Sequence, residues 1–432
     1  MPRVLLLTTT TGYQTRAFGA AAEQLEVELV FATDRCDRLD DPWQDAAIPI
    51  RFHEEDRSVD RIVDAARRHP IDGILVVGDR PAVLGARVAE ALRLPWHPPE
   101  AAAAAGNKLL SRERFRAAGL HTPQFVERPL DGAHSSALIS NSSFPGFPCV
   151  VKPLSLSGSR GVMRADDEAS LAAAIGRLHS LLSSPEVRAE HNPAHERILI
   201  EEFIPGREFA VEGLMHHGTL HVLAIFDKPD PLDGPFFEET IYRTPSTATG
   251  GEQQAIESAI AAAASALGLR HGAVHAECRV NDAGVYVLEV AARPIGGLCA
   301  RTVRFDRRNG SVMPLEELLL RHALGEAPSW RREATASGVM MIPIPRRGTY
   351  RSADGVDAAR AVPYVSSVEI TAKADQLLLP LPEGASYLGF IFARAAAPAD
   401  VETALRTAHA QLRFRIDPEF RIVRGSARAL QS

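Results

Sequence analysis

The hydrophobic pattern of the first hundred residues alternates between short apolar runs and longer amphipathic stretches. The runs are rich in Val, Leu, Ile and Thr and predict strands, whereas the stretches between them carry apolar residues at helical spacing. The predicted strands span 4–10, 27–33 and 73–78, and the predicted helices span 15–25, 58–69 and 82–93. Such alternation is typical of a parallel sheet with crossover helices. No GxGxxG sequence follows the first strand, so a dinucleotide site is not indicated there.

Beyond the Pro-rich segment 94–99, which predicts a domain linker, the pattern becomes a mixture of helices and longer strands. Helices are predicted over 107–119, 167–182, 253–268 and 314–324. Strands are predicted over 148–154, 198–204, 208–218, 220–228, 338–344 and 387–394. Irregular structure is predicted over 131–149, 183–196 and 229–250. The chain is therefore predicted to combine α/β and α+β architecture in three domains, 1–100, 101–310 and 311–432.

The stretch 274–294, VHAECRVNDAGVYVLEVAARP, predicts a β-hairpin with two glutamates facing each other. A three-residue turn over 282–284, with Gly284 at positive φ, would place Glu277 directly opposite Glu289. Like charges at about 5 Å destabilise a sheet unless a cation lies between them, and two carboxylates are suitable ligands for magnesium. A one-residue slip of the register, or protonation of one glutamate, is the alternative explanation.

Composition narrows the classes of function. The hydrophobic content of 45% and charged content of 24% are ordinary for a soluble protein, and the net charge of −6 argues against a nucleic-acid partner. No run of 18 apolar residues predicts a membrane span, and residues 1–14 predict a core strand rather than a signal peptide. We therefore expect a cytoplasmic protein. Buried free thiols are expected at the four cysteines, which are Cys36, Cys149, Cys278 and Cys299.

Two lysines and a loop rich in Ser and Gly are candidates for phosphate contacts. The loop 154–163, LSLSGSRGVM, can fold backbone N–H groups over phosphates, although it lacks the GKS or GKT ending of a Walker A sequence. Lys152 lies in an apolar strand, where it either reaches solvent at an edge or is directed at a ligand. Lys108 begins a predicted helix, where a solvated lysine is the alternative.

The segment 198–213, ILIEEFIPGREFAVEG, suggests a nucleoside site. A strand ends in two glutamates, turns through Pro205 and Gly206, and continues with Glu208. A purine can take backbone hydrogen bonds from a short extended linker here, while Glu208 accepts hydrogen bonds from ribose hydroxyls. A solvated hairpin with acidic ends is the alternative.

Taken in this order, Lys108, VVKP, the Ser/Gly loop, EEFIPGREF and HAE…LEVAAR resemble the ATP-grasp superfamily of carboxylate–amine ligases over about residues 100–305. The region before them is similar to the Rossmann-like domain that precedes the grasp fold. The stretches GVMMIPIP and 380–395, PLPEGASYLGFIFARA, resemble the C-terminal α+β domain of L-amino acid ligases, which join free amino acids into dipeptides. The resemblance thus implies an N-terminal pre-grasp domain, an ATP-grasp fold and a C-terminal α+β domain.

The resemblance also implies a role for each matching residue. The residues implied to bind ATP are the phosphate lysines Lys108 and Lys152, the phosphate-covering loop with Ser157, Gly158, Ser159 and Gly161, the adenine linker Glu201, Glu202, Phe203 and Ile204, and the ribose carboxylate Glu208. Glu277 and Glu289 match the ligands of Mg²⁺, for which Mn²⁺ is an alternative ion, and Arg293 matches the catalytic arginine that stabilises the anionic intermediate. Many members have an asparagine two residues after the second glutamate, where this chain has Ala291. Water or a phosphate oxygen must therefore complete the metal shell.

Further candidates rest on position alone. Lys228 is a candidate phosphate contact, with a surface lysine as the alternative. His275 shares the face of Glu277 and is expected to orient a substrate carboxylate or the metal shell, unless it is a core histidine. The remaining substrate candidates are Arg301 and Arg304 for an α-carboxylate, Gly296 and Gly297 for close approach of the backbone, and Phe237 and Glu238 for the amine side.

The expected function is an ATP- and Mg²⁺-dependent ligase that forms a dipeptide-like amide through an acylphosphate and releases ADP and phosphate. The loops 154–163 and 229–250 are candidate lids that exclude water. The expected partners are free amino acids or other small carboxylates and amines, and a homodimer is compatible with the family. The alternatives are another ATP-grasp ligase of nucleotide or cofactor biosynthesis, a non-catalytic nucleotide-binding protein, and an NAD-binding oxidoreductase, against which the missing glycine fingerprint counts.

Overall fold

The N-terminal part of the chain forms a parallel sheet with helices packed against it. The computed structural model describes residues 1–9, 13–34, 47–131, 139–307 and 310–419, so Cys36 and part of the predicted irregular segment 131–149 lie outside the described residues. The elements are β1 (Arg3–Thr8), α1 (Tyr13–Leu25), β2 (Glu28–Asp34), β3 (Ile48–Ile50), α2 (Glu55–Arg68), β4 (Gly73–Val77) and α3 (Ala82–Leu92). The strand order is β3-β2-β1-β4, with parallel pairing throughout. The crossover pattern is therefore confirmed.

Two helices, α4 (Pro99–Ala105) and α5 (Lys108–Ala117), connect this sheet to the next. Helix α4 was not predicted. Its sequence PEAAAAA has no polar face to create a helical period, but alanine is the best helix former and proline is favoured at the first helical position. Helix α5 begins after Asn107, whose side chain accepts hydrogen bonds from the backbone N–H groups of Leu109 and Leu110. This cap sets the residue at which α5 begins and thereby the position of Lys108, the first residue of the helix.

A small antiparallel sheet follows. Its elements are β5 (Phe125–Pro129), β6 (Cys149–Pro153), β7 (Met163–Ala165), α6 (Glu168–Leu182), α7 (Pro185–Arg188), a 3₁₀ turn (Pro193–Glu196) and β8 (Arg197–Glu202). The strand order is β5-β8-β6-β7. Helix α6 begins with a capping box between Asp167 and Ser170 and buries Leu171 and Leu178 against this sheet. The Ser/Gly loop is therefore the connection of the β6–β7 hairpin.

The rest of the chain is organised around an eight-stranded antiparallel sheet. Its elements are β9 (Arg207–His216), β10 (Thr219–Asp227), β11 (Ile241–Thr244), α8 (Gly250–Leu267), β12 (Gly272–Asn281), β13 (Gly284–Ala291), a 3₁₀ turn (Cys299–Thr302), β14 (Arg304–Asp306), β15 (Val312–Pro314), α9 (Leu315–Ala323), β16 (Ala336–Ile342), β17 (Gly348–Asp354), α10 (Val356–Arg360), β18 (Val365–Ile370), β19 (Leu377–Leu378), β20 (Gly389–Ala395), α11 (Pro398–Gln411) and β21 (Arg413–Asp417). The strand order of the large sheet is β13-β12-β9-β10-β11-β16-β20-β18. Strands β19, β17 and β21 form a separate three-stranded sheet in the C-terminal region.

The large sheet crosses the boundary predicted at residue 310. Strand β11 lies inside the segment 229–250, which was predicted to be irregular, and it pairs with β10 on one side and β16 on the other. Ile241 and Tyr242 are buried in this strand, but four residues among many turn-forming ones give too short an alternation to predict it. The C-terminal strands therefore continue the sheet that carries the predicted site.

Helix α9 links the N-terminal sheet to the large sheet. It packs against α1, β4 and β12, and its leucines belong to one hydrophobic core that includes residues of both sheets. A second core fills the C-terminal region and a third lies under the small sheet. Among the described residues, no helix combines the length and the apolar character that crossing a bilayer requires.

Candidate active site

A cavity of about 1080 Å³ lies where the N-terminal sheet, the small sheet, the large sheet and the C-terminal region meet. It brings together most of the predicted site residues, which are Lys108, Lys152, Ser157, Gly158, Ser159, Glu201, Glu202, Phe203, Ile204, Glu208, Phe237, His275, Glu277, Glu289, Arg293, Gly296 and Gly297. Five predicted residues are not in its lining, namely Gly161, Lys228, Glu238, Arg301 and Arg304. We refer to this space as the main cavity.

The hairpin of β12 and β13 places Glu277 directly opposite Glu289, as predicted. The turn itself differs from the prediction, because it holds only residues 282–283 and Gly284, at a φ of 131°, is the first residue of β13. A bulge beside Glu277 then shifts the register by one residue. Without that bulge, Glu277 would face Leu288. The turn is one residue shorter than predicted, and the bulge shifts the register back by one residue. Glu277 and Glu289 therefore face each other as expected, although the hairpin differs from the predicted one.

Glu277 also belongs to a carboxylate cluster around the ammonium of Lys228. The Lys228 Nζ lies 2.8 Å from Glu208, 2.5 Å from Glu239 and 3.0 Å from Glu277, and 5.0 Å from the centre of the Tyr242 ring. We call Glu208, Glu239 and Glu277 the carboxylate cluster. Three carboxylates bind the Lys228 ammonium behind the cavity wall. Lys228 is therefore not in a position to contact a phosphate in the cavity, in contrast to the prediction.

The charges within the carboxylate cluster are unequal. Burial acts to lower the pKa of Lys228, but the three carboxylates raise that pKa well above its ordinary value. Burial raises the pKa of Glu239 to about 8. Burial acts in the same direction on Glu277, but Lys228 and a hydrogen bond from Glu239 bring the pKa of Glu277 below its ordinary value. At neutral pH the cluster therefore holds a proton on Glu239 and keeps Glu277 ionised.

Lys108 lies between the glutamate pair and the Ser/Gly loop. Its Nζ is 3.6 Å from the Glu289 carboxylate and donates a hydrogen bond of 2.8 Å to the Leu156 carbonyl. Its backbone N–H donates to the carbonyl of Leu154 at 2.9 Å. These bonds join the start of α5 to the loop that follows β6, so the ammonium faces the same space as Glu289.

The second predicted phosphate lysine, Lys152, is held by Glu201. The Glu201 carboxylate lies 2.5 Å from Lys152 Nζ and 2.7 Å from Nε of the fully buried Arg112. Burial acts to raise the pKa of Glu201, but the two cations lower it to about 2. Arg112, which was not predicted, also donates to the Leu288 carbonyl at 2.8 Å. The side chain of Glu201 therefore positions Lys152 rather than presenting itself to a base.

The predicted adenine linker presents an aromatic ring to the main cavity. The guanidinium carbons of Arg164 and Arg279 lie 4.3 Å and 5.2 Å from the centre of the Phe203 ring. Arg279 also donates to the Ile204 carbonyl at 2.7 Å and to the Glu208 carboxylate at 2.8 Å. Arg279, on β12, thus joins the linker to the predicted ribose carboxylate.

The Ser/Gly loop turns sharply beside the cavity. Gly158, Ser159 and Gly161 have φ angles of 64°, 55° and 76°, all in the left-handed region that favours glycine. Ser157, Gly158 and Ser159 line the cavity, whereas a Cβ on Gly161 would meet Leu178 at 2.9 Å. Gly161 therefore lies on the side of the loop that packs against helix α6 and not on the side that lines the cavity.

The loop is tied to the C-terminal region by contacts that we call the latch. The Gly161 backbone N–H donates to the Pro382 carbonyl at 2.8 Å, and Arg160 Nε donates to the Glu383 carbonyl at 2.8 Å. Arg177 of α6 donates two hydrogen bonds of 2.8 Å to the Glu383 carboxylate. The segment that follows, with Ala385, Ser386 and Tyr387, lines the main cavity.

The predicted catalytic arginine is paired with a carboxylate of the N-terminal sheet. Arg293 Nε and one terminal nitrogen donate to the two oxygens of Asp79 at 2.8 Å and 2.9 Å, and the other terminal nitrogen donates to the Pro294 carbonyl at 3.1 Å. Burial acts to lower the pKa of Arg293, but Asp79 raises it above its ordinary value. A guanidinium has five N–H donors, so two remain for other acceptors in this arrangement.

His275 lies beside the glutamate pair and is oriented by a buried acid. Its Nδ1 is 3.1 Å from the fully buried Glu212, and its Nε2 is 4.0 Å from Glu277. Burial raises the pKa of Glu212. The Glu212 carboxylate also accepts the backbone N–H of Ile295 at 3.0 Å, which places Gly296 at the cavity wall.

Three substrate predictions require correction. Glu238 points away from the main cavity, and its neighbour Glu239 lines it instead, because adjacent residues of an extended chain face opposite sides. Arg301 lines a neighbouring cavity of about 310 Å³, where it pairs with Glu369 and stacks over Phe392. Arg304 is exposed on β14 and lines neither cavity. Neither arginine is therefore placed to bind a substrate carboxylate in the main cavity.

Several residues of the site were missed by the prediction. They are Asp79, Arg112, Glu239, Tyr242 and Arg279. Asp79 is the second residue after strand β4, and the end of a parallel strand is a position from which ligand contacts are common. Arg279 is a charged residue inside an apolar strand, as is Lys152, and could have been singled out on that ground. Tyr242 and Glu239 carry no such local signal.

The donor set of the glutamate pair is suitable for magnesium. Glu277 and Glu289 offer hard carboxylate oxygens from facing strand positions, and Glu277 is ionised for the reason given above. The lysines Lys108 and Lys152 line the same cavity and would bring positive charge to a phosphate chain bound there. These residues therefore fit an ion bridged to phosphates.

Comparison with known families finds matches in three regions of the chain. Residues 19–96 match the ATP-grasp N-terminal domain, residues 145–302 match the ATP-grasp domain, and residues 340–417 match the L-amino acid ligase C-terminal domain 2. All three regions contribute residues to the main cavity.

Individual proteins also resemble this chain. A solved structure of L-amino acid ligase from Bacillus licheniformis superposes with a TM-score of 0.80 at 26% identity, covering 97% of this chain and 99% of that one. The D-alanine–D-alanine ligase of Synechococcus sp. is 29% identical over 60% of this chain and 73% of its own length. Dapdiamide A synthase of Enterobacter agglomerans is 25% identical over 56% of this chain and 55% of its own length. The matched region thus spans about half to three quarters of these two relatives.

Proposed function

Because the chain belongs to the ATP-grasp superfamily of ligases, we propose that it joins a small carboxylate to an amine with ATP and Mg²⁺, and that both substrates are free amino acids. The observation that carries this proposal is the meeting of Lys108, Lys152, the glutamate pair and Arg293 in one cavity. The match of residues 340–417 to the L-amino acid ligase C-terminal domain favours amino acids as substrates, since this region supplies part of the cavity wall.

ATP is proposed to bind along the wall formed by the small sheet. Phe203 and Ile204 contact the adenine, and Glu208 accepts hydrogen bonds from the ribose, because a carboxylate that receives Lys228 and Arg279 still has free lone pairs. Lys108 and Lys152 contact the phosphates under the Ser/Gly loop. Glu277 and Glu289 would hold magnesium, which neutralises phosphate charge when bound.

The reaction is proposed to proceed in two displacements. An oxygen of the substrate carboxylate attacks the γ-phosphorus and ADP leaves, which gives an acylphosphate. The amine nitrogen then attacks the acyl carbon, and phosphate leaves as the amide forms. The two remaining N–H donors of Arg293 are available to the oxyanion of the tetrahedral intermediate, a contribution that is typically about 3–4 kcal/mol in comparable sites. The Asp79 carboxylate keeps the guanidinium charged and fixes its plane.

A pairwise screen of free amino acids tests the proposal. Each pair is incubated with the full chain, ATP and Mg²⁺, and both phosphate release and product mass are measured. We expect ADP and phosphate in equal amounts with an amide product for some pairs, and no amide when either amino acid is omitted. Release of AMP and pyrophosphate would exclude the acylphosphate route. ATP binding without turnover for any pair would favour a non-catalytic nucleotide-binding protein.

A further inference from the structure

Three histidines meet at the end of β9 and β12 that is remote from the carboxylate cluster. His216 is the last residue of β9, and His271 directly precedes β12. The ladder pairs Gly272 with Met215, so its continuation by one residue sets His271 opposite His216. His322 comes from α9, which packs on β12. We call His216, His271 and His322 the histidine cluster.

The cluster has the dimensions of a metal site. One ring nitrogen of each histidine lies within 4.8 Å of one from each of the other two. His216 Nδ1 and His322 Nε2 are 3.1 Å apart, and the His271 and His322 rings stack with centres 4.1 Å apart. Two imidazole ligands at 2.0–2.1 Å from a tetrahedral Zn²⁺ have nitrogens about 3.3 Å apart. The spacing already present between His216 and His322 is therefore close to the spacing that zinc imposes.

The chemical state of the rings also suits a metal. His271 and His322 are buried, and Nδ1 of His271 has no hydrogen-bond partner among the residues that the structure describes. A buried nitrogen without a partner is unfavourable, and a metal ion would satisfy it. Burial favours the neutral form of both rings, which keeps a lone pair for a metal ligand.

We propose that His216, His271 and His322 bind a borderline divalent transition-metal ion, with Zn²⁺ as the probe. Neutral imidazole suits zinc, copper and nickel better than magnesium or calcium. The fourth position belongs to water or to His217, whose ring centre is 4.4 Å from that of His216. His216 is only half-buried and leaves a path from solvent.

The proposed ion cross-links three segments that lie far apart in the sequence. Helix α9 joins the N-terminal sheet to the large sheet, and the ion would fasten this helix to β9 and β12. Because metal binds the folded arrangement of the three histidines, binding should raise the thermal stability of the whole chain. The proposal is independent of the chemistry in the main cavity.

Zinc titration of the full chain tests the site. The protein is freed of metal with a chelator, and Zn²⁺ is titrated against a competing chromogenic chelator while Tm is followed separately. We expect one ion bound tightly per chain, with a rise in Tm. The variants His216→Ala and His271→Asn should each weaken binding at least about tenfold and lose most of the Tm rise, since each removes a ligand. Because His216 is half-buried, His216→Ala should fold, and its Tm without metal checks this.

A matched control separates this site from other zinc binding. His53 and His191 form a surface pair with ring centres 4.7 Å apart, so His191→Ala removes a histidine of comparable type elsewhere. This variant should bind zinc as the unaltered chain does. Replacement of zinc by Co²⁺ should give visible absorption that is lost in His216→Ala. Equal zinc affinity in the unaltered chain and in His216→Ala, or no binding at micromolar zinc, would overturn the proposal.

Discussion

Strands β9 and β12 carry two clusters of potential ligands, and the two ends of these strands have opposite chemistry. Glu208 and Glu212 on β9 lie four residues apart, and His216 follows four residues later on the same face, about 13 Å further along. At the end that carries Glu208, the oxygens of the carboxylate cluster surround the ammonium of Lys228. Lysines and arginines of the main cavity lie at this end as well. At the other end, three imidazoles contact one another and further imidazoles.

If both proposed ions bind, a single sheet keeps two kinds of cation apart. Carboxylate oxygens with their own cationic partners favour a hard ion that arrives with phosphate, whereas neutral imidazoles favour a borderline ion that needs no added charge. The two ends also differ in their response to pH, because burial raises the pKa of Glu239 at the carboxylate end to about 8. Variants at the carboxylate end and at the histidine cluster test whether the two ends are independent.

The largest effect is expected from Glu289→Gln. The substitution removes one of the two facing carboxylates and should lower kcat/KM for amide formation by about 10³-fold, because several kcal/mol of charge neutralisation are lost. The measurement is ADP release with the best amino-acid pair. Zinc affinity at the histidine cluster should be unchanged, and a parallel loss of zinc binding would show that the two ends are not separate.

Arg293→Ala should lower kcat by about 10²- to 10³-fold while changing the affinity for ATP little, because its donors act on the intermediate rather than on the nucleotide. Single-turnover kinetics and nucleotide titration measure the two quantities. Loss of ATP binding with normal chemistry would mean that Arg293 belongs to the nucleotide site.

Asp79→Asn should lower kcat by about tenfold, as is typical when a group that orients a catalytic residue is removed. Asp79 is a positioning residue, since it contacts Arg293 through two hydrogen bonds. The conservative variant Asp79→Glu should recover part of the activity. If Asp79→Asn matches Arg293→Ala in its effect, the carboxylate has a direct role in the reaction.

Glu239→Gln should change how stability depends on pH. The folded-state pKa of Glu239 is raised to about 8, so the folded state binds a proton more tightly than the unfolded state between about pH 4.5 and 8. This group therefore makes stability fall as pH rises through that window. Urea denaturation between pH 5 and pH 9 should show a shallower fall in the variant.

A control for this last prediction lies at the other end of the strands. His216→Ala should act in the opposite sense, because burial holds the pKa of His216 below its ordinary value, so the unfolded state binds this proton more tightly and the imidazole makes stability rise with pH. Its removal should therefore make the net fall in stability between pH 5 and pH 9 steeper rather than shallower. An equal slope in the unaltered chain and in Glu239→Gln would mean that the proton resides elsewhere in the carboxylate cluster.

The two ends also differ in how far they could be predicted from the sequence. Glu277 and Glu289 belong to one hairpin, so their pairing follows from a period of two over local positions, even though the turn was predicted one residue too long. The ATP-grasp motifs are likewise local runs, and their order led to the family. The fold class of the N-terminal and grasp regions could therefore be predicted, although the short elements β3, α4, β5, β7 and β11 were missed.

What escaped prediction depends on contacts between distant segments. Asp79 and Arg293 are 214 residues apart, and no local pattern connects them. His216, His271 and His322 come from the end of a strand, a loop and a helix, and only the register of β9 with β12 and the packing of α9 bring them together. Glu239 was missed in favour of Glu238 because the direction of a side chain in an irregular segment requires the folded backbone.

The latch couples the position of the Ser/Gly loop to the shape of the cavity wall that follows Glu383. Gly161 and Arg160 hold the carbonyls of Pro382 and Glu383, and the chain continues from there directly into the wall at Ala385, Ser386 and Tyr387. Any outward swing of the Ser/Gly loop must either release those two carbonyls or pull that wall with it. A substrate seated against Tyr387 would in this way sense whether nucleotide is already enclosed.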